Sequence, residues 1–114
     1  MGVGFEAVVE AGVVRIALSG DLDVSTAASV EERLIELEDG GAERVILDLR
    51  ALDFIDSTGL SLLINADRRG RQAGRRVTIV SGTGAPRRIL ETTGLKGRLD
   101  IVEDDPSSAQ TPEG

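Results

Sequence analysis

Alternation of apolar and polar residues at the start of the chain predicts a β-hairpin. The alternating runs span residues 5–9 and 13–19, and a turn is expected between them at residues 10–12. Because successive side chains of a strand point to opposite faces, one face of the second strand is apolar. That face consists of Val14, Ile16 and Leu18.

The next segment combines cap-forming residues with a helical stripe. Residues 20–26, GDLDVST, are typical of strand ends and helix caps. Four apolar residues then recur at helical spacing, and Gly40 with Gly41 is expected to end this helix. The stripe consists of Ala27, Val30, Leu34 and Leu37.

The later elements are predicted to be strands and helices in alternation. The short apolar runs are of the kind found in parallel sheets that are covered on both faces. We expect, in order, a strand at 44–49, a loop at 50–56, a largely buried helix at 58–70, a strand at 76–80, a helix beginning near Pro86 and capped by Gly94, and a strand at 99–102.

The predicted order β-β-α-β-α-β-α-β defines an α/β fold. Right-handed crossovers would join the later strands into a mainly parallel central sheet with an N-terminal hairpin and packed helices. A chain of 114 residues is about the size of one ordinary domain. We assign that domain to residues 1–102 and expect residues 103–114, which are acidic and poor in apolar side chains, to be a disordered tail.

Composition excludes several kinds of chemistry. The chain has no cysteine and no histidine, so thiol catalysis, zinc fingers, iron–sulfur clusters and Ser-His-Asp triads are excluded. Aromatic residues make up only 2%, which removes stacking platforms for bases or sugars. No uncharged run approaches the roughly 20 residues that span a bilayer. We therefore expect a soluble cytoplasmic protein with no membrane insertion and no cofactor.

The charge balance argues against nucleic acid as a partner. The net charge is −7, and it is near −3 without the tail, whose four acids are not balanced by any base. One basic cluster is the contrary feature, and we interpret it as a solvated helix end whose cations complement the helix dipole. It consists of Arg68, Arg69, Arg71, Arg75 and Arg76.

Two polar stretches follow predicted strands and form the candidate site. Sites in open α/β sheets gather at the carboxyl ends of the strands, where both GDLD at 20–23 and DSTGL at 56–60 fall. We expect them on the same edge of the molecule. Asp56 or Ser57 would accept hydrogen bonds from the first free N–H groups of the following helix.

A purely structural interpretation of these residues stays open. Ser57 would then be only a helix cap, Gly59 would only permit close packing, and Asp21 and Asp23 would be turn and cap residues. The glycine-containing loop at 81–86, SGTGAP, lacks the Walker spacing and its lysine as well as the Rossmann glycine pattern, so we interpret it as a strand-to-helix turn. Two-carboxylate hydrolysis is disfavoured because no aromatic-lined pocket is indicated.

Three segments together resemble the STAS domain, which is shared by bacterial anti-sigma factor antagonists and the cytoplasmic ends of sulfate transporters. They are ALSGDLDVSTA, VILDLRALDFIDSTGLSLLINADRRGRQAGRRVTIV and PRRILETTGL, and the resemblance covers about residues 5–102. The soluble antagonists carry a phosphorylatable serine between an aspartate and Ser/Thr-Gly-Leu. By position, Ser57 is similar to that phosphoacceptor.

The resemblance implies partner switching by a binding protein that is not an enzyme. An anti-sigma factor that is also a serine kinase would bind the protein while Ser57 is free, and so release its sigma factor. Phosphorylation of Ser57 would break the complex, and a PP2C-type phosphatase would restore the hydroxyl. The family pattern places Asp23 and Asp56 near the phosphoacceptor. The predicted contact region also includes the adjoining Asp21, Thr58 and Gly59.

Two alternatives remain beside this function. Within the same fold, the chain would be a soluble STAS subunit of a transport or lipid-trafficking assembly, with Ser57 as a structural or contact residue. In another class, it would be a small phosphotransfer or nucleotide-hydrolysing enzyme, against which the absence of histidine and of a Walker loop weighs.

Overall fold

The elements form in the predicted order β-β-α-β-α-β-α-β. A computed structural model describes residues 2–104 of the chain. Its elements are β1 (Val3–Glu10), β2 (Val13–Leu22), α1 (Ala27–Asp39), β3 (Arg44–Ile55), α2 (Ser57–Ala73), β4 (Arg76–Val80), α3 (Ala85–Thr92), a 3₁₀ turn (Leu95–Gly97) and β5 (Ile101–Val102).

The strands form one sheet in the order β1-β2-β3-β4-β5. The predicted hairpin is confirmed: β1 and β2 are antiparallel, and Ala11 and Gly12 between them have φ values of 52° and 82°. Two positive φ values in succession match the right-handed twist of the flanking strands, so this turn closes a tight hairpin. The other neighbouring pairs are parallel, as right-handed crossovers through helices require.

One aliphatic core joins the sheet to the helices. The face of β2 predicted to be apolar is buried, and it belongs to one hydrophobic cluster with residues of β3 and β4. Each α helix contributes side chains to the same cluster. The central members are Val14, Ile16, Leu18, Val30, Leu34, Val45, Leu47, Leu62, Leu63, Val77, Ile79 and Leu90.

The neighbouring strands β2 and β3 both run further than their sequences indicate. The expected ends were near residue 19 for β2 and residue 49 for β3, but these strands end at Leu22 and Ile55. The loop predicted at 50–56 is therefore almost entirely strand. The extensions pair with each other from Ser19↔Ala51 to Leu22↔Ile55, with one register shift just before Ser19 and another between Gly20 and Asp21. Asp21 consequently lies inside β2 and is not a turn residue.

The basic cluster is only partly a solvated helix end. Arg71 is 71% exposed, as expected, but Arg69 and Arg75 contact Glu38, a residue of α1 that is only 3% exposed. The Arg69 guanidinium binds both Glu38 oxygens, at 2.7 and 3.0 Å, and also binds Glu31 at 2.8 Å. The interpretation was wrong for these two arginines because a buried carboxylate requires paired cations.

Hydrogen bonding continues one residue past the end of β5, into the region assigned to the tail. The carbonyl of Glu103 accepts a hydrogen bond of 3.0 Å from the N–H of Gly82, and its carboxylate pairs with Arg87. Glu103 is therefore held by the end of β4 and by α3. The rest of the predicted tail, residues 105–114, lies outside the described part of the chain.

Candidate functional site

The expected shared edge forms where β2 and β3 end together. Leu22 and Ile55 are register partners, and the Leu22 carbonyl accepts a hydrogen bond of 3.2 Å from the N–H of Asp56. Asp23 and Asp56 are thus the first residues beyond two neighbouring parallel strands. This arrangement brings the GDLD and DSTGL stretches to one edge of the sheet.

Asp56 is the N-cap of α2 and also binds the opposite loop. Its Oδ1 accepts a hydrogen bond of 3.0 Å from the N–H of Gly59, and its Oδ2 accepts one of 3.1 Å from the N–H of Val24. The sequence left the choice of cap open between Asp56 and Ser57, and the structure assigns it to Asp56. One carboxylate therefore fixes both the start of α2 and the β2–α1 loop.

Ser57 is the first residue of α2, and its side chain is exposed. Thr58 also belongs to the first turn, but it is only partly exposed. Because Asp56 supplies the cap, the Ser57 hydroxyl is not needed for that role. The first N–H groups of a helix and its dipole favour negative charge at this position.

Gly59 permits the close approach of α2 to the two strand ends. A β carbon at this position would lie 2.6 Å from the Leu22 carbonyl oxygen and 2.7 Å from the Ile55 Cγ1. These separations are too short for any other side chain without a shift of the helix. The glycine of DSTGL therefore sets how closely α2 packs on the sheet edge.

Asp23 organises the loop that precedes α1. Its Oδ1 accepts hydrogen bonds from the Ser25 N–H at 2.9 Å and from the Ser25 hydroxyl at 2.7 Å. Hydrogen bonds hold the pKa of Asp23 below its ordinary value of 3.8. The bond from the Ser25 hydroxyl contributes most, and those from the Ser25 N–H and from Thr26 contribute less. These hydrogen bonds favour the ionised form of Asp23, and its loop is connected to the phosphoacceptor candidate through the hydrogen bond between Val24 and Asp56.

Two exposed apolar side chains at this edge were missed by the sequence analysis. Val24 is 75% exposed, and Phe54 is 52% exposed. Phe54 is the register partner of Asp21, one position before the paired ends of β2 and β3. Phe54 is one of only two aromatic residues in the chain. The position of Phe54 two residues before DSTGL is the only signal in the sequence, and in a loop at 50–56 its exposure could not be predicted.

Residues 2–104 contain no group of acidic side chains arranged to hold a metal ion. Within the same range, no helix is both long and apolar enough to cross a membrane.

The family model for the STAS domain matches residues 5–107. The chain belongs to the STAS domain family. Among curated relatives, the anti-sigma-B factor antagonist of Staphylococcus aureus is 26% identical over 103 residues, which cover 90% of this chain and 95% of the relative. The protein of the same name from Staphylococcus epidermidis is also 26% identical, with the same coverage.

Solved structures with the same fold include anti-sigma factor antagonists. The crystal structure of one from Mycobacterium paratuberculosis has a TM-score of 0.79 at 23% identity and covers 94% of this chain and 91% of that chain. Phosphorylated SpoIIAA, a Bacillus cell fate determinant, has a TM-score of 0.73 at 20% identity, with coverage of 93% and 96%. Its unphosphorylated form has a TM-score of 0.71 at 18% identity, with coverage of 93% and 94%.

Proposed function

We propose that this protein is an anti-sigma factor antagonist that is switched by phosphorylation of Ser57. Its partner is an anti-sigma factor that is also a serine kinase. The unmodified protein binds this partner and so releases a sigma factor. The curated relatives named as antagonists match nearly the whole chain, which supports the regulatory role.

The observation that carries the proposal is an exposed hydroxyl at the start of a helix that is already capped by another residue. In the reaction, the γ-phosphoryl group of ATP passes to the Ser57 Oγ, ADP leaves, and the hydroxyl proton is released. The partner kinase supplies the catalytic groups, and this protein supplies only the acceptor. A PP2C-type phosphatase hydrolyses the phosphoserine and restores the binding form.

The fold is expected to survive this modification. A phosphoserine adds roughly −1.5 to −2 charges, and the positive end of α2 favours them, although the Asp56 carboxylate offsets part of that gain. The Asp56 hydrogen bonds to Gly59 and Val24 do not involve the Ser57 hydroxyl. Binding can therefore change while the protein keeps its structure.

The test uses the anti-sigma factor kinases of the source organism, purified one by one. With ATP and the cognate kinase, phosphopeptide mapping should find phosphate on Ser57. Ser57→Ala should remain unmodified and Thr58→Val should be modified at the normal rate. A normal rate of phosphate incorporation into Ser57→Ala would disprove the assignment.

Binding of two variants tests the switch itself. Ser57→Ala should bind the kinase with nearly wild-type affinity, and Ser57→Glu should bind weakly while both variants keep wild-type circular dichroism. Glutamate carries about one negative charge against nearly two for phosphoserine, so its effect should be partial. Equal, tight binding by both variants would place position 57 outside the interface and favour a subunit of a transport or lipid-trafficking assembly.

A further inference from the structure

We infer that Val24 and Phe54 are the apolar anchors through which this protein docks on its protein partner, and that phosphorylation acts mainly by placing an uncompensated phosphate beside them. This inference rests on the proposed function and adds the chemistry of the contact. The partner surface that it requires is an apolar recess bordered by lysine or arginine side chains.

The first support is where exposed apolar side chains occur. Among residues 2–104, the large hydrophobic side chains that are exposed are Val8, Val9, Val24 and Phe54. Val8 and Val9 lie in β1, at the outer edge of the sheet. Val24 lies in the loop after β2 and Phe54 near the end of β3, at the same edge of the sheet as the candidate phosphoacceptor. Aromatic side chains are frequent among the few residues that contribute most of the binding energy of an interface.

The second support is the short connection of both residues to Ser57. The N–H of Val24 binds the carboxylate of Asp56, the residue that directly precedes Ser57. Phe54 lies three residues before Ser57, within the paired end of β3. Because β3 and the Asp56 hydrogen bonds hold these positions, the two side chains are presented on ordered backbone, which reduces the entropy lost on binding.

The charge of the same edge determines what surrounds the apolar contact. The stretches 19–25 and 52–60 contain four carboxylates and no basic residue. A partner with cations around its apolar recess would be attracted to this edge and oriented on it. The carboxylates belong to Asp21, Asp23, Asp53 and Asp56.

This composition explains how a phosphate on Ser57 would weaken the contact with a basic partner. Neither stretch of this chain supplies a cation to pair with the new charge, and the partner's cations are already engaged by the existing carboxylates. The phosphate would instead lose water against apolar surface, which is costly for a charged group. A desolvation cost depends little on salt, whereas repulsion between exposed charges is screened by it.

The first experiment measures affinity for the purified cognate kinase. Phe54→Ala should weaken binding by about tenfold or more, the loss typical of an interface anchor, and Val24→Ala by a smaller factor. Val8→Ala and Val9→Ala are matched controls, because they remove exposed apolar groups from another edge of the sheet, and they should change affinity by less than about twofold. Thermal melts of all four variants should match the wild type. Unchanged affinity in both site variants, or equal losses in the controls, would overturn the inference.

The two proposals fail in different ways. If no anti-sigma factor kinase binds or modifies the wild-type protein, the proposed function is wrong. If the kinase binds and modifies the wild-type protein but ignores changes at Val24 and Phe54, only the anchor inference is wrong.

The second experiment separates desolvation from repulsion. The ratio of the dissociation constants of Ser57→Glu and Ser57→Ala is measured at low and at high salt. We expect both constants to rise with salt while their ratio stays constant. A ratio that collapses towards one at high salt would show that repulsion dominates, and would overturn the desolvation part of the inference.

Other occupants of the patch are tested directly. Light scattering should show that the wild-type protein forms no dimer through Phe54, so that Phe54→Ala leaves its molecular mass in solution unchanged. Sedimentation with vesicles of anionic phospholipid should show no binding that depends on Phe54. Either result, if positive, would assign the patch to a second copy or to a lipid surface and overturn the choice of a protein partner.

Discussion

The backbone N–H of Val24 donates a hydrogen bond of 3.1 Å to Oδ2 of Asp56, 32 residues later in the chain. The other oxygen of the same carboxylate caps α2 through the N–H of Gly59. Asp56 therefore couples the position of the β2–α1 loop to the start of the helix that carries Ser57.

Removal of this carboxylate should destabilise the fold and loosen the loop. For Asp56→Ala we expect a loss of about 1–3 kcal/mol, from the helix cap and the second hydrogen bond together. Asp56→Asn keeps one acceptor oxygen and should fall between alanine and the wild type. Urea unfolding measures the series. Wild-type stability in Asp56→Ala would show that neither hydrogen bond contributes.

Gly59→Ala should be destabilising, although alanine is the better helix former. The added methyl group would collide with the Leu22 carbonyl and Ile55, so α2 has to shift at a cost of about 1–3 kcal/mol. Gly97→Ala is the matched control, since a β carbon there meets nothing within 4 Å. Thermal melts should show a clear loss for the first variant and almost none for the second. Equal melting temperatures would contradict the close packing.

The order of elements could be predicted because the spacing of apolar residues, together with the positions of glycine and proline, depends on local structure. The ends of β2 and β3 could not, since Gly20, Asp21 and Asp53 are typical of turns and only pairing between the two extensions makes them strand. The position of Ser57 at the start of a helix could also be predicted, because polar cap-forming residues there are followed by the apolar residues of the helix. It could not reveal that Asp56 reaches Val24, because that hydrogen bond depends on how two distant segments pack.

The Glu38 contacts were likewise hidden from the sequence, and they predict a large stability effect. Glu38→Ala should cost about 3 kcal/mol, at the lower end for a buried ion pair, since Arg69 retains some contact with water. Arg71→Ala breaks a solvent-exposed ion pair with Asp67 and a long hydrogen bond of 3.4 Å to the Arg98 carbonyl, and it should cost less than about 0.5 kcal/mol. Urea unfolding of the two variants gives the comparison. Similar losses would mean that Glu38 is better hydrated than its burial indicates.

Asp23 gives a test that separates loop structure from partner binding. Asp23→Asn keeps an oxygen that can accept the Ser25 hydrogen bonds, so the melting temperature should change little. It removes a charge that the proposed basic partner would attract, so affinity for the kinase should fall by several-fold and mostly through slower association. Rapid-mixing kinetics measure both rates. A large loss of melting temperature with unchanged affinity would give Asp23 a structural role alone.

Truncation at the carboxyl end tests where the domain stops. Because the Glu103 carbonyl binds the Gly82 N–H and its carboxylate pairs with Arg87, removal of all residues after Val102 should cost about 1–2 kcal/mol. Removal of the residues after Asp104 keeps these contacts, and we expect wild-type stability and affinity. Each truncated protein is compared by urea unfolding and by titration with the kinase. Equal stability of the two truncated proteins would show that the folded domain ends at Val102. A loss of affinity in the longer one would instead make residues 105–114 part of the partner contact.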